Sequence, residues 1–156
     1  MKHLFAAAFA LLLLAPVTAL GHCQVPCGIY DDTARIDRML EDTDTIEKSI
    51  LAIIELADTR TDAKAMNQMV RWVTTKEDHA SDIISIISEY FLAQKVKPVA
   101  AGAEGRETYL AKLADHHAVM SAAMKTKQDA NAETARTLRA AIETLKKHYN
   151  YEDHTH

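Results

Sequence analysis

Between Thr33 and Tyr149 the chain is punctuated in one place only. Pro98, Gly102 and Gly105 are the only prolines and glycines in that span. Elsewhere apolar residues return every third or fourth position, which is the period of a helix with one buried face. The first such stretch runs from Thr33 to about Ala57 with Ile36, Leu40, Ile46, Ile50, Ile53 and Ile54, and Asp31 or Asp32 is placed to cap it. The polar run Asp58–Asp62 breaks the pattern. A second stretch spans about Ala63 to Lys95, with Met66, Met69, Val70, Val73, Ile83, Ile84, Ile87, Tyr90 and Phe91, and ends at Lys97-Pro98. Arg106 to Lys125 and Asn131 to Tyr149 give the third and fourth, the former with Tyr109, Leu110, Leu113, Val119 and Met120, the latter with Ala135, Leu138, Ile142 and Leu145. No segment alternates with a β period. Four amphipathic helices joined mostly by short loops predict an all-α fold, an antiparallel four-helix bundle over residues 32–150 with a frayed tail at 151–156.

The first 21 residues are unlike the rest. Lys2 gives a positive start, Leu4 to Ala15 is an unbroken apolar run, and Ala19-Leu20-Gly21 offers small residues at the third and first positions before a cut. The run is too short for a comfortable membrane span. The pattern predicts a leader at 1–21, removed by a leader-cleaving peptidase, and hence export to the periplasm or extracellular space with no stable membrane association after cleavage. A cytoplasmic protein with a cleaved leader is the alternative. The whole chain carries a formal charge of −4, and loss of the leader with its single Lys2 makes it one unit more negative. That mild acidity argues against a nucleic-acid partner, which would want a basic face.

A bundle alone says nothing about chemistry. The di-iron signature is missing, since no Glu has a His three residues later, and so is the Cys-x-x-Cys-His haem attachment. The chain's two cysteines, however, sit together directly behind the leader, in Gly21-His22-Cys23-Gln24-Val25-Pro26-Cys27-Gly28-Ile29-Tyr30. In an exported chain their plain reading is a disulfide. A cut after Gly21 opens a second reading. His22 would then carry a free α-amine. That amine and the Cys23 amide nitrogen can close one five-membered chelate ring, and the same nitrogen with the Cys23 sulfur a second. Cys27 can supply another thiolate once the chain curls through Pro26 and Gly28. Two nitrogens and two sulfurs in a plane suit nickel, with the His22 imidazole as an axial fifth donor. Zinc would ask for a tetrahedral set at other spacings.

The run His22-Cys23-x-x-Pro26-Cys27-Gly28-x-Tyr30 resembles the N-terminal nickel hook of nickel superoxide dismutases, which places the hook at residues 22–31. The likeness extends through Ala34-Arg35-Ile36-Asp37 and Lys76-Glu77 to Glu89-Tyr90-Phe91. It implies a four-helix bundle assembled as a homohexamer, with a nickel ion as cofactor and superoxide as substrate, converted to oxygen and hydrogen peroxide as nickel cycles between Ni(II) and Ni(III). By the same resemblance the metal ligands are His22 through amine and imidazole, Cys23 through amide and thiolate, and Cys27 through thiolate. Tyr30 would gate access and Tyr90 would be the second tyrosine near the metal. Asp37 would orient the axial imidazole, and His79 stands where an Arg would support it. Gln24 replaces an expected Asp, and the spacing from Tyr30 to Arg35-Ile36-Asp37 is one residue shorter than the family's. Neither departure touches a ligand. A non-enzymatic exported nickel- or copper-binding bundle is the alternative function.

Other residues have plainer readings. Adjacent His116 and His117 point about 100° apart on a helix and make poor joint ligands, so packing or interface roles are expected. Met66, Met69, Met120 and Met124 read as core filling, and Trp72 as a packing or interface residue.

Overall fold

The computed structural model describes residues 28–58, 61–149 and 151. The leader and the three predicted nickel ligands His22, Cys23 and Cys27 lie outside the described residues, as does the tail beyond Tyr151. Four helices follow in order: α1 (Asp32–Ala57), α2 (Ala63–Ser85), α3 (Arg106–Gln128) and α4 (Ala132–Lys146). Past Ser85, α2 continues without a break as a ten-residue π-helical segment, Ile86–Lys95. Among the described residues there is no strand, and no helix is long and apolar enough to cross a membrane.

Each helix start has a local cause. Asp31 accepts from the Ala34 amide at 2.9 Å and Asp62 from the Ala65 amide at 2.9 Å. Asn131 accepts from the Glu133 amide at 3.0 Å. Each satisfies an amide that the first turn leaves orphaned, at a value of about 1 kcal/mol. The far end of α3 is capped by a side chain from another helix. Lys76 of α2 is buried, and its ammonium donates to the carbonyls of Thr126 and Lys127 while pairing with Glu77 at 3.0 Å. A cation at a helix C-terminus is favoured by the macrodipole.

The helices pack around a square, α1 on α2, α2 on α3, α3 on α4 and α4 on α1. Pairs such as Asp42–His79 and Asp44–Arg139 make the neighbours antiparallel. Ile36, Met39, Ile46 and Ile50 of α1 meet Ala80, Ile83 and Ile87, then Val119 and Ala123, then Leu138, Ile142 and Leu145 in one core. Each large apolar side chain buried there contributes about 1.5–3 kcal/mol. The buried hydroxyls of Thr43, Ser49 and Thr126 donate to carbonyls three or four residues back, each at 2.7 Å, so their burial leaves no donor unpaired.

The bundle is not flush at one end. α3 finishes at the level of Lys76, and Arg139 of α4 sits opposite Asp44, so α4 begins near Leu51. The first three turns of α2 and the last two of α1 therefore run on as a two-helix overhang, about 20 Å long on the α2 side. Leu51, Ile54, Met66, Val70 and Val73 lie on it and are between 38% and 60% exposed. This corrects the core reading of Met66, and Met124 on α3 is likewise exposed. Their spacing is that of a buried face, but the helices that would cover the overhang end too soon.

Candidate functional site

Gly28 has φ +79°, a left-handed backbone that an L side chain rarely adopts, and it stands at a turn just ahead of α1. Ile29 and Tyr30 follow without regular structure, and the Asp31 cap then fixes where α1 begins. That short lead determines where Tyr30 lands. Its ring meets the ring of Tyr90 edge-on, with centroids 5.7 Å apart at 76°, a favoured geometry for two quadrupoles.

Tyr90 is delivered by the π segment. The wider turn places two consecutive aromatic residues to use, Tyr90 toward α1 and Phe91 fully into the core. Single π turns often mark functional positions, and nothing in the composition of Ile86–Lys95 announces one. The Tyr90 hydroxyl donates to Asp32 Oδ1 at 2.7 Å. Burial, then the hydrogen bond to Asp32 and its charge, hold this phenol well above its ordinary range. At neutral pH Tyr90 is therefore a protonated donor, not a phenolate.

Cations surround the pair. Lys95 bonds Asp32 Oδ2 at 3.2 Å and lies 4.6 Å from the Tyr30 ring centroid, and the Arg35 guanidinium lies 5.2 Å from that of Tyr90. The Tyr30 hydroxyl has a longer bond, 3.5 Å, to Gln94 Oε1. Beside them opens a cleft of about 360 Å³ lined by Lys95, Lys97, Lys112, Thr108 and Tyr109. The sequence shows these lysines as scattered charges, and only the fold gathers them.

The structure thus brings Tyr30 and Tyr90 together and places Asp37 and His79 in other pairings. Asp37 accepts from the Tyr151 hydroxyl. His79 Nδ1 is 2.6 Å from Asp42 Oδ1, which Arg38 also approaches at 3.1 Å. Asp42 is fully buried, its Oδ2 has no hydrogen-bond partner, and burial pushes its carboxyl pKa up. Of the two adjacent histidines, His116 is buried and His117 exposed, as their angular separation requires.

Two donor sets compete for a metal. One atom each from Asp42, His79 and Asp82 lies within 4.8 Å of the others. The Arg38 guanidinium, however, spans Asp42 and Asp82 at 3.1 and 3.8 Å, so a cation already stands there. Carboxylates are also hard donors, unsuited to holding a redox-active nickel. A cut before His22 would give the hook an amine, an imidazole, an amide nitrogen and two thiolates, a set that would fit nickel in both softness and number.

The sequence profile of the family described as nickel-containing superoxide dismutase matches residues 17–153. No curated protein and no solved structure matches the chain. The match begins ahead of His22 and runs past the last helix, so it takes in both cysteines, the tyrosine pair and the whole bundle together, and on that evidence the chain belongs to the nickel-containing superoxide dismutase family.

Proposed function

We propose that this enzyme, which disproportionates superoxide to oxygen and hydrogen peroxide with nickel as its cofactor, is exported, is activated by the cut that removes its leader, and works as a homohexamer. One observation carries the activation reading: the apolar leader ends directly before His22, whose amine the hook needs. His22, Cys23 and Cys27 would hold the metal, which supplies the one-electron redox couple. The rest falls to the bundle. Tyr30, half exposed over Tyr90, would gate entry. Tyr90, kept protonated by burial and Asp32, would donate to an anion or ordered water beside the hook. Lys95, Lys97 and Lys112 would draw in superoxide by charge. Asp37 and His79 remain candidates for orienting the imidazole. With Asp37 Oδ1 committed to Tyr151 and His79 Nδ1 to Asp42, either would act through its other oxygen or nitrogen.

N-terminal sequencing of active protein made from the full gene should begin at His22. A protein carrying one extra residue before His22 should lose both nickel and activity, because its α-amine is displaced. Active enzyme starting at any other residue would end this reading.

The overhang supports assembly. Five exposed apolar side chains on one two-helix tip form a surface that invites burial against another copy. Leu51→Asp with Val70→Asp should lower the mass seen by light scattering while leaving helicity intact. An unchanged mass would remove the overhang from the interface.

A further inference from the structure

Rings lead inward from the site. Tyr90 meets Phe91 with centroids 4.9 Å apart, Phe91 meets Tyr149 at 4.7 Å, and Phe91 also meets His116 at 5.5 Å. The path starts at Tyr30, 38% exposed, and ends at His116, which is fully buried. At that end Tyr149 and His116 share a hydrogen bond of 2.7 Å.

Its direction can be assigned. His116 Nδ1 lies 2.7 Å from the Lys112 carbonyl oxygen, which can only accept. Nδ1 therefore carries the ring proton, Nε2 holds a lone pair, and the Tyr149 hydroxyl donates to it. Burial lowers the His116 pKa, which keeps the imidazole neutral and the lone pair available. Burial likewise raises the Tyr149 pKa, so the phenol keeps its proton until an electron leaves. Dismutation has no step that uses this pair.

We propose that Tyr149 and His116 form a proton-coupled redox pair that draws one-electron oxidising equivalents away from the hook through Tyr90 and Phe91. The oxidant is a radical-class species derived from the product hydrogen peroxide. It takes one electron from Tyr90, whose phenolic proton passes to Asp32 along the 2.7 Å bond. Tyr149 then gives an electron to Tyr90 through the intervening Phe91 ring, and Tyr90 takes its proton back from Asp32. The Tyr149 O–H bond breaks as this happens, and its proton moves to His116 Nε2. The net change is one electron from Tyr149 to the oxidant and one proton from Tyr149 to His116.

The direction of flow follows from basicity. An ordinary imidazole is a stronger base than a carboxylate, so a phenol bonded to His116 loses its electron and proton more easily than one bonded to Asp32, by a margin that the burial of His116 narrows. The Lys112 ammonium, 4.3 Å from the Tyr149 ring centroid, works against this.

The test uses mature nickel-loaded enzyme challenged with hydrogen peroxide, freeze-quenched and read by electron paramagnetic resonance. Wild type should give a radical signal that narrows when the protein is made with ring-deuterated tyrosine. Tyr149→Phe keeps the ring against Phe91 and should lose that signal. In the same variant, peptide mass spectrometry should find oxidation moved to Tyr30, Tyr90 and the hook cysteines, with faster inactivation. His116→Phe, which removes the proton acceptor but leaves Tyr149 in place, should also lose the signal; a merely structural histidine would leave it. No tyrosyl signal in wild type, or an equal one in Tyr149→Phe, would overturn the proposal.

Discussion

Cys23→Ser and Cys27→Ser should each yield a folded protein that holds no stoichiometric nickel and dismutates superoxide more than about 100-fold more slowly. That is the upper range for losing a group that merely supports a ligand, and the proposed site makes these two the ligands themselves. A serine hydroxyl stays protonated at neutral pH and is a hard donor, so it replaces neither the charge nor the softness of a thiolate. Nickel has to be brought within reach of the superoxide couples by electron-rich donors, and each cysteine would supply one of the two thiolates available, since the chain has no third cysteine. Both residues precede the first helix in the sequence, so helicity and melting behaviour should stay at wild-type values. Metal analysis beside a dismutation assay decides the matter. Gln24→Ala, within the same loop but not a ligand, should keep its nickel. A serine variant with a full complement of nickel and half its activity would refute the assigned donor set.

The second large effect is on stability. Phe91 is fully buried and its ring touches those of Tyr90, His116 and Tyr149. Phe91→Ala removes the shared partner of three rings from a place where neighbouring helices cannot close the gap. Such a cavity costs about 3–5 kcal/mol, against a total stability of about 5–15 kcal/mol for a domain. At this chain length the melting point should fall by about 10–15 °C. Circular dichroism melts would measure it, and a shift under about 3 °C would mean that the ring cluster does not hold the bundle together. Activity should fall as well, because Tyr90 is seated on Phe91.

The helices were legible because their period is strong and their punctuation sparse. A cap at Asp31 or Asp32 was readable because a short acceptor just ahead of an apolar-periodic run has one favourable use, and the structure selects Asp31. The family and its nickel were legible in the run from His22 to Tyr30, since few sequences set a histidine and two cysteines within six residues directly behind a leader-like segment. Three features were not readable. The π winding of Ile86–Lys95 has no residue-level signature, so Tyr90 and Phe91 could be named but not aimed. Lys76 could be named only as part of the family likeness, and its burial depends on where α3 ends. Met66, Val70 and Val73 have the spacing of a core face, yet the length of α3 and α4, not the period of α2, decides whether that face is covered.

The overhang also sets where the molecule yields. At the Tyr30 end, hydrogen bonds, an ion pair and edge-on or tilted rings cross between helices. At the tip, α1 and α2 have little but each other. Local opening should therefore begin there, at a lower free energy than global unfolding, and leave the catalytic end intact while it does. If neighbouring copies clasp the tip, its opening becomes a matter of mass action. A dilute solution would then expose the loop around Asp58 to proteases while every copy still turned over superoxide, so nicking at the tip would count subunits, not unfolded enzyme.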